Sequence, residues 1–368
     1  MKGFICHKLL GLVFCNYPAW DEKRPIRPGA VTIQQCRRCA KEAWPLYMGY
    51  AAKPMTKQMR CCWIVTVFFV SLLLSVAAKA ATVVDSAGQK VEVTRPFERI
   101  ISLYAAHTEN LAALGLDREL IGIGDSDDYP SRVLGKKRFS YKEDPEKFIA
   151  ARPDLVLVRP MIERSYPQLI DKLRQSGITV VSLQPNTVGE IADYWRALGG
   201  LTGRNGAAEK MVADFQQGMA TIKARVEAIP REARVRVYFE AIHKKMKTFA
   251  PQSIAIYALE QAGGVNVAAD AFQVRETNIA DYGKERILAK AETIEVFLAQ
   301  QGRMNPVSRE TIMQEPGFQA LKAVRQGKVY VVDERLVSRP TMRILDGVRQ
   351  INAILYPGLG LRGEDRER

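Results

Sequence analysis

One long helical pattern near the middle of this 368-residue chain constrains its fold more than any other feature. From Gly206 to Ile229, the residues Met211, Val212, Phe215, Met219, Ile222 and Val226 recur at helical spacing, and Pro230 stops the run. At 1.5 Å per residue such a helix is a rigid rod of about 35 Å. On both sides of it, short apolar runs alternate with helical patterns. Before it come the runs Ile100–Leu103, Leu120–Gly124, Leu155–Val158 and Ile178–Leu183, with helical patterns over His107–Leu114, Tyr166–Gln175 and Val188–Leu201. Thr108 or Asn110 is a candidate cap for the first helix, and Thr187 with Glu190 fits a capping box for the third. After it come the strands Val235–Phe239, Ile294–Leu298 and Gly327–Val332, and helices over Ser253–Gln261, Gly317–Val324 and Thr341–Leu355. Alternating β and α implies parallel sheets wrapped by helices. The expected fold is therefore α/β: two lobes, each a mostly parallel sheet wrapped by helices, bridged by one long helix. Residues 81–205 form the N-terminal lobe, 206–230 the bridge, 231–357 the C-terminal lobe and 358–368 a polar tail.

The net charge of +14 invites a nucleic-acid partner, but its distribution argues against one. Residues 1–80 carry 12 Lys/Arg against 3 Asp/Glu, leaving 42 against 37 over the other 288 residues. The excess lies in a targeting region. Met55–Arg60 is a basic n-region, Trp63–Ala77 an apolar h-region, and Ala78-Lys79-Ala80 a small-x-small cleavage site. Residues 55–80 are thus expected to be a signal peptide cut after Ala80, which places the mature chain in the periplasm. Residues 1–54 precede it, rich in Cys, Pro and Arg and without periodicity; they are expected to be a non-native upstream extension, with the start at Met55 or Met59. All six Cys (Cys6, Cys15, Cys36, Cys39, Cys61, Cys62) fall before the h-region. The mature chain has no thiol chemistry, and Cys36-x-x-Cys39 lacks the second pair that a zinc site needs.

Two stretches look like copies of one device. Pro145-Glu146-Lys147-Phe148-Ile149-Ala150 precedes the apolar run Leu155–Val158, and Lys284-Glu285-Arg286-Ile287-Leu288-Ala289 precedes Ile294–Leu298. Each sets a Glu at the positive start of a short helix, where a carboxylate is favoured by about 0.3–1 kcal/mol. The pair, with Pro96–Leu103, Thr108–Gly115, Asp128-Tyr129-Pro130, Ala323–Tyr330 and Ser338–Arg343 in that order, resembles the periplasmic binding proteins of ABC importers for metal chelates such as cobalamin, ferric siderophores and haem. The resemblance runs over residues 81–357. It implies two α/β lobes joined by one long helix, with Glu146 and Glu285 docking onto arginines of the membrane permease. The turn Leu103–His107 departs from it: many members carry a Pro there.

Ligands of open α/β sheets bind outside the carboxyl ends of the strands. That rule selects the loops Tyr104–His107, Asp125–Tyr129, Arg159–Met161, Gln184–Asn186, Glu240–Met246 and Arg339–Arg343. The candidate ligand-binding residues are Tyr104, His107, Asp128, Tyr129, Arg159, Glu240, His243, Arg339 and Arg343. Tyr offers a face for a flat chelate, and Arg offers a fork for carboxylates or phosphates. Arg159 stands out because it directly follows a buried strand. His107 and His243 are the only His of the mature chain, too few for a free-metal site, so no metal is held directly and no resident cofactor is expected. His243, beside Lys244 and Lys245, also fits a surface role.

The expected function is the solute-binding component of an ABC importer, a monomer that takes a metal chelate into an interlobe cleft and delivers it to the permease. The alternatives are a metallochelatase-like enzyme and a membrane-tethered sensor lobe. The sequence has no GxSxG, HExxH, P-loop or dinucleotide fingerprint, so an enzyme is not expected.

Overall fold

The computed structural model describes residues 81–273 and 277–358. The expected upstream extension, signal peptide and all but the first residue of the polar tail lie outside them. A hairpin opens the described residues: β1 (Ala81–Val84) pairs antiparallel with β2 (Lys90–Val93). The N-terminal lobe then alternates β3 (Ile100–Ser102), α1 (Ala105–Ala113), β4 (Leu120–Gly124), β5 (Lys137–Phe139), α2 (Pro145–Ala151), β6 (Leu155–Val158), α3 (Pro160–Ser165), α4 (Pro167–Gln175), β7 (Thr179–Ser182) and α5 (Ile191–Thr202). Its five strands are all parallel, in the order β5-β4-β3-β6-β7. All four residues of β6 are buried, as a continuous apolar run between two helical layers requires.

The long helix α6 (Asn205–Val226) follows, 22 residues against the expected span to Ile229. The C-terminal lobe runs β8 (Arg236–Ile242), β9 (Lys247–Phe249), α7 (Ile254–Gln261), β10 (Val265–Asn266), β11 (Phe272–Gln273), β12 (Ile279–Asp281), α8 (Lys284–Ala289), β13 (Val296–Gln301), α9 (Arg309–Met313), α10 (Lys322–Arg325), β14 (Val329–Asp333), α11 (Glu334–Val337) and α12 (Ile344–Leu355). Its sheet is mixed. β8, β13, β14 and β10 run parallel, while β9, β12 and β11 add an antiparallel edge.

Two caps differ from expectation. α1 starts after Tyr104, so Thr108 and Asn110 are interior, with side chains committed to tertiary partners. α5 starts three residues later than expected, at Ile191. The Glu190 carboxylate still reaches back, to the Asn186 N–H at 2.8 Å and the Thr187 hydroxyl at 3.1 Å. Gly317–Val324 is not one helix: a 3₁₀ turn over Phe318–Ala320 gives way to α10.

One contiguous apolar core joins the lobes. It runs from Ile100, Leu111 and Trp195 through Met211, Phe215 and Met219 of α6 to Phe239, Ile256 and Val348. α6 lies against α5 on one side and α7 and α12 on the other. Its approach to α12 is close: a Cβ added at Gly218 would sit 2.9 Å from the Leu345 side chain. The outer face of each sheet has its own cluster. Phe148 of α2 anchors in one and Ile287 of α8 in the other, each fully buried and each two residues after its Glu.

Candidate functional site

A cavity of about 760 Å³ opens between the carboxyl ends of the two sets of strands. Its N-lobe wall comes from the ends of β3, β4, β5, β6 and β7, and its C-lobe wall from Phe249, Thr277–Ile279, Gln300, Arg303, Met304, Glu334, Ser338 and Arg339. The volume is that of a small-molecule site. Five cationic side chains line it (Lys142, Arg159, Arg164, Arg303 and Arg339) against two carboxylates, Asp125 and Glu334. Glu334 is occupied, accepting the backbone N–H groups of Arg303 at 3.0 Å and Met304 at 3.3 Å. The side chains of Lys142, Arg164 and Arg303 are exposed and have no hydrogen bond or ion pair among the described residues. Arg159 lies over the Tyr104 ring, 5.2 Å from its centroid.

Of the residues chosen from sequence, Tyr104, Arg159 and Arg339 line the cavity. Tyr104 stands at the end of β3. Burial raises its phenol above the ordinary value, with Arg159 and Arg339 opposing. The His107 ring meets its edge at 5.1 Å.

The other six do not line it. His107 is wholly buried beneath: Nε2 lies 3.0 Å from the Val158 carbonyl and Nδ1 2.7 Å from the Tyr194 hydroxyl. Burial lowers it to about 4, so the imidazole is neutral, donating to the carbonyl and accepting from Tyr194. Glu240 and His243 are buried against each other in the C-terminal lobe, Nδ1 lying 3.0 Å from the carboxylate. The surface role weighed for His243 therefore does not hold. Asp128, Tyr129 and Arg343 lie at the lobe seam. Arg343 stacks 4.3 Å over the Tyr129 ring, and both border a separate small pocket of about 130 Å³.

The seam explains where these residues went. Arg339 reaches from the C-terminal lobe to Glu109 at 2.8 Å and Asp128 at 2.7 Å, both in the N-terminal lobe. Arg343 Nε lies 3.2 Å from the other Glu109 oxygen, and Arg335 lies 3.5 Å from Asp128. The Pro340 carbonyl accepts from Asn110 at 2.9 Å and from the Trp195 indole at 3.3 Å. Beside them, burial raises Asp127 to about 6; its carboxylate accepts from Thr108 and, at 3.0 Å, from the Gly124 N–H in the cavity wall. Arg339 is thus both cavity floor and interlobe clasp.

Sequence reasoning missed Ser86, Lys142, Arg164 and Arg303. Ser86 sits in the β1–β2 turn, which bonds to the end of β7: its N–H donates to the Ser182 carbonyl at 2.7 Å, and its hydroxyl accepts from the Gln184 N–H at 3.0 Å. Lys142 and Arg303 follow β5 and β13, so the strand-end rule covers them once those strands are placed. Arg164 projects from α3, which the sequence pattern did not mark.

Glu146 and Glu285 lie outside the cavity, both exposed in the first turns of α2 and α8. Neither carboxylate has a hydrogen bond or ion pair among the described residues. Their helices occupy matching places: α2 leads to β6, which pairs with the lobe's first sheet strand β3, and α8 leads to β13, which pairs with β8. No group of three or more His, Cys, Asp or Glu among the described residues is placed to hold a metal ion.

Comparison with known proteins gives this geometry a family. A vitamin B12-binding protein of Vibrio cholerae is 28% identical over 258 residues, 70% of this chain and 88% of that protein. An ABC transporter substrate-binding lipoprotein of Bacillus subtilis is 23% identical over 75% of this chain and 85% of its own. Among solved structures, a possible iron-binding, periplasmic solute-binding protein of Staphylococcus epidermidis superposes with a TM-score of 0.62 at 26% identity, covering 71% of this chain and all of that one. The periplasmic vitamin B12-binding protein of V. cholerae superposes with a TM-score of 0.55 at 27% identity, covering 71% and 97%. Each of these relatives is a binding protein. Residues 100–336, nearly the whole of both lobes, match the periplasmic binding protein family, and the chain belongs to it.

Proposed function

We propose that this chain captures an anionic metal chelate between its lobes and hands it to the permease of an ABC importer. The charge of the cavity wall carries the proposal: five cations line it against two carboxylates, and although Arg339 is paired at the seam, the side chains of Lys142, Arg164 and Arg303 have no partner among the described residues. Guanidinium groups hold carboxylate, catecholate and phosphate oxygens well, and Tyr104 and Tyr141 add flat faces for a chelate's rings. Relatives bind vitamin B12. Cobalamin carries its negative charge on one phosphate, whereas a ferric tris-catecholate or the propionates of haem present more, so the wall favours the latter two. The chelated metal is cargo, and no resident cofactor is required.

Glu146 and Glu285 are the docking carboxylates in this proposal, one per lobe, free to meet cations on the permease's periplasmic face. The working protein is a periplasmic monomer beginning at Ala81. In this proposal the basic and apolar stretch that ends at Ala80 is its signal peptide.

The test is calorimetric titration of the mature chain with a ferric tris-catecholate, haemin, a ferric hydroxamate and cyanocobalamin at low and high salt. Coloured chelates can also be followed by quenching of Trp195, the only tryptophan after residue 80, which is buried at the seam. Sub-micromolar affinity for an anionic chelate, weakened by salt, is expected. Tight, salt-independent binding of cyanocobalamin alone would overturn the ligand class, and chemical change in any ligand would point to an enzyme instead.

A further inference from the structure

The C-terminal lobe buries a set of charges that neither the cavity nor the clasp uses. His243 opens the turn after β8 and is 6% exposed. Its backbone N–H donates to Asn305 Oδ1 at 2.9 Å. On one side its ring faces the fully buried Glu240, with Nδ1 3.0 and 3.1 Å from the two oxygens. On the other, Nε2 lies 3.5 Å from Glu315 Oε2. The second oxygen of Glu315 accepts from Lys284 Nζ at 2.5 Å, and Lys284 is the first residue of α8. The backbone makes a parallel link. The turn ends at Met246, left-handed at φ 47°, whose carbonyl accepts the N–H of Gly283, the residue before α8, at 3.0 Å. Two routes therefore tie the His243 turn to the start of the helix that carries Glu285.

We infer that Glu240, His243, Glu315 and Lys284 form a chain of ion pairs that positions α8, so that presentation of Glu285 to the permease, but not capture of ligand, depends on the charge of His243. The inference rests on the docking role proposed for Glu285. The N-terminal lobe supplies an internal contrast. α2 starts with Pro145, its Lys147 pairs with Glu143 at 2.6 Å, and neither His of the described residues bonds to it.

The direction of the pH dependence follows from the surroundings of His243. Facing it are Glu240 from β8, Glu315 from the segment after α9 and, through Glu315, Lys284 from α8. Lys244 and Lys245 adjoin it on its own turn, and Tyr238 lies beyond Glu240 on β8. Glu240 chiefly, with Glu315 adding to it, holds the His243 proton above the ordinary imidazole value. The link to Glu315 is therefore complete below the ordinary imidazole value and lost as pH rises through the raised one. Burial raises Glu240 as well, so on the acid side the His243–Glu240 pair is lost as pH falls through that raised carboxyl value. α8 is best held between the two.

The experiment measures amide hydrogen exchange over residues 283–289 and 145–151, corrected for intrinsic pH dependence, in the mature wild-type chain, His243→Gln and Glu315→Gln. The same variants are assayed for uptake of a labelled ferric tris-catecholate and of labelled cyanocobalamin by cells that depend on this chain. Glu315→Gln leaves Glu240 and His243 paired, so it keeps the test open if His243→Gln folds poorly. Expected is an exchange rate in α8 about fivefold higher in both variants and in wild type at alkaline pH, with α2 unchanged, uptake reduced by a similar factor and ligand affinity within about twofold. Unchanged exchange in α8, or equal change in α2, would overturn the inference. If α8 responds while Glu285→Ala leaves uptake intact, the docking role fails and the positioning of α8 stands without it.

Discussion

Replacing Arg339 with Met removes the cation that holds the lobes together, and the cost can be worked from its partners. Arg339 is 11% exposed in its side chain and Glu109 3%, so this pair is shielded from solvent. Asp128 is 39% exposed and its share is discounted for screening. Breaking a buried pair from one side costs about 3–5 kcal/mol, because the remaining charge is uncompensated. Glu109 keeps Arg343 at 3.2 Å, which places the expected loss at the lower end, about 3 kcal/mol. For a mature chain of 288 residues that lowers the melting temperature by about 5 °C. The pH dependence has a definite sign. Burial already raises Glu109 above the ordinary carboxylate value, and Arg339 opposes that rise. Without Arg339 the carboxyl rises further, and a group raised in the folded state loses stability as pH increases. The penalty should therefore be larger at pH 8 than at pH 5. Urea denaturation of the mature chain and the variant at both values measures it, and adding Glu109→Gln should recover part of the loss. A loss below about 1 kcal/mol, or one equal at the two pH values, would refute the account of the seam as a buried, charge-dependent clasp.

Other consequences are open to simpler tests. Ala in place of Arg159 removes both a cavity cation and the ring contact with Tyr104, and should weaken an anionic chelate about tenfold in calorimetry. Glutamine at Lys142, Arg164 or Arg303 should each weaken it less and flatten its salt dependence, leaving thermal stability unchanged. Alanine at both Glu146 and Glu285 should leave ligand affinity intact and abolish uptake; a fall in affinity would make them ligand contacts instead. Gly347→Ala should destabilise by about 3 kcal/mol or more in denaturant unfolding, since the new Cβ would meet the Leu336 carbonyl oxygen at 2.3 Å.

The parts of the fold legible in the sequence are those set by local pattern. β6 is a run of four apolar residues between a helix end and a proline, and α6 repeats its apolar positions over six turns before Pro230. β5, β9, β11 and β12 escaped because each is two or three residues long and held by its neighbours in the sheet, not by a pattern of its own. The site divides in the same way. The strand-end rule found the right loops for Tyr104, Arg159 and Arg339. It could not say which loop residues turn to the cavity and which to the seam, because that depends on partners 200 or more positions away, as with Asp128 and Arg339. His107 lies in the first turn of α1, Glu240 within β8 and His243 in the turn after it, and each is committed to a partner buried beside it, so none of the three lines the cavity. Ser86 reaches the wall only because the β1–β2 hairpin docks on the edge strand β7, a tertiary event with no local signature.

The seam and α6 together bear on how the cavity is filled. A hinge closes by changing backbone dihedrals in a few loop residues. Here the lobes share one apolar core through α6, a helix whose backbone hydrogen bonds oppose such changes, and they are tied again by Arg339, Arg343 and the shared Pro340 carbonyl. Opening the lobes widely would expose Glu109, a buried carboxylate, and part the α6–α12 contact at Gly218 and Leu345. The cavity walls are therefore largely set before ligand arrives. On the proposed function, affinity would then rest on the existing placement of Tyr104, Arg159 and the cations without a partner among the described residues, with little binding energy spent on moving lobes. Release must accordingly be driven from outside, by a partner that holds both lobes at once. Glu146 and Glu285 occupy matching positions in the two lobes, exposed and without a side-chain partner among the described residues, so the docking proposed for them would let one partner engage both lobes and work against the clasp.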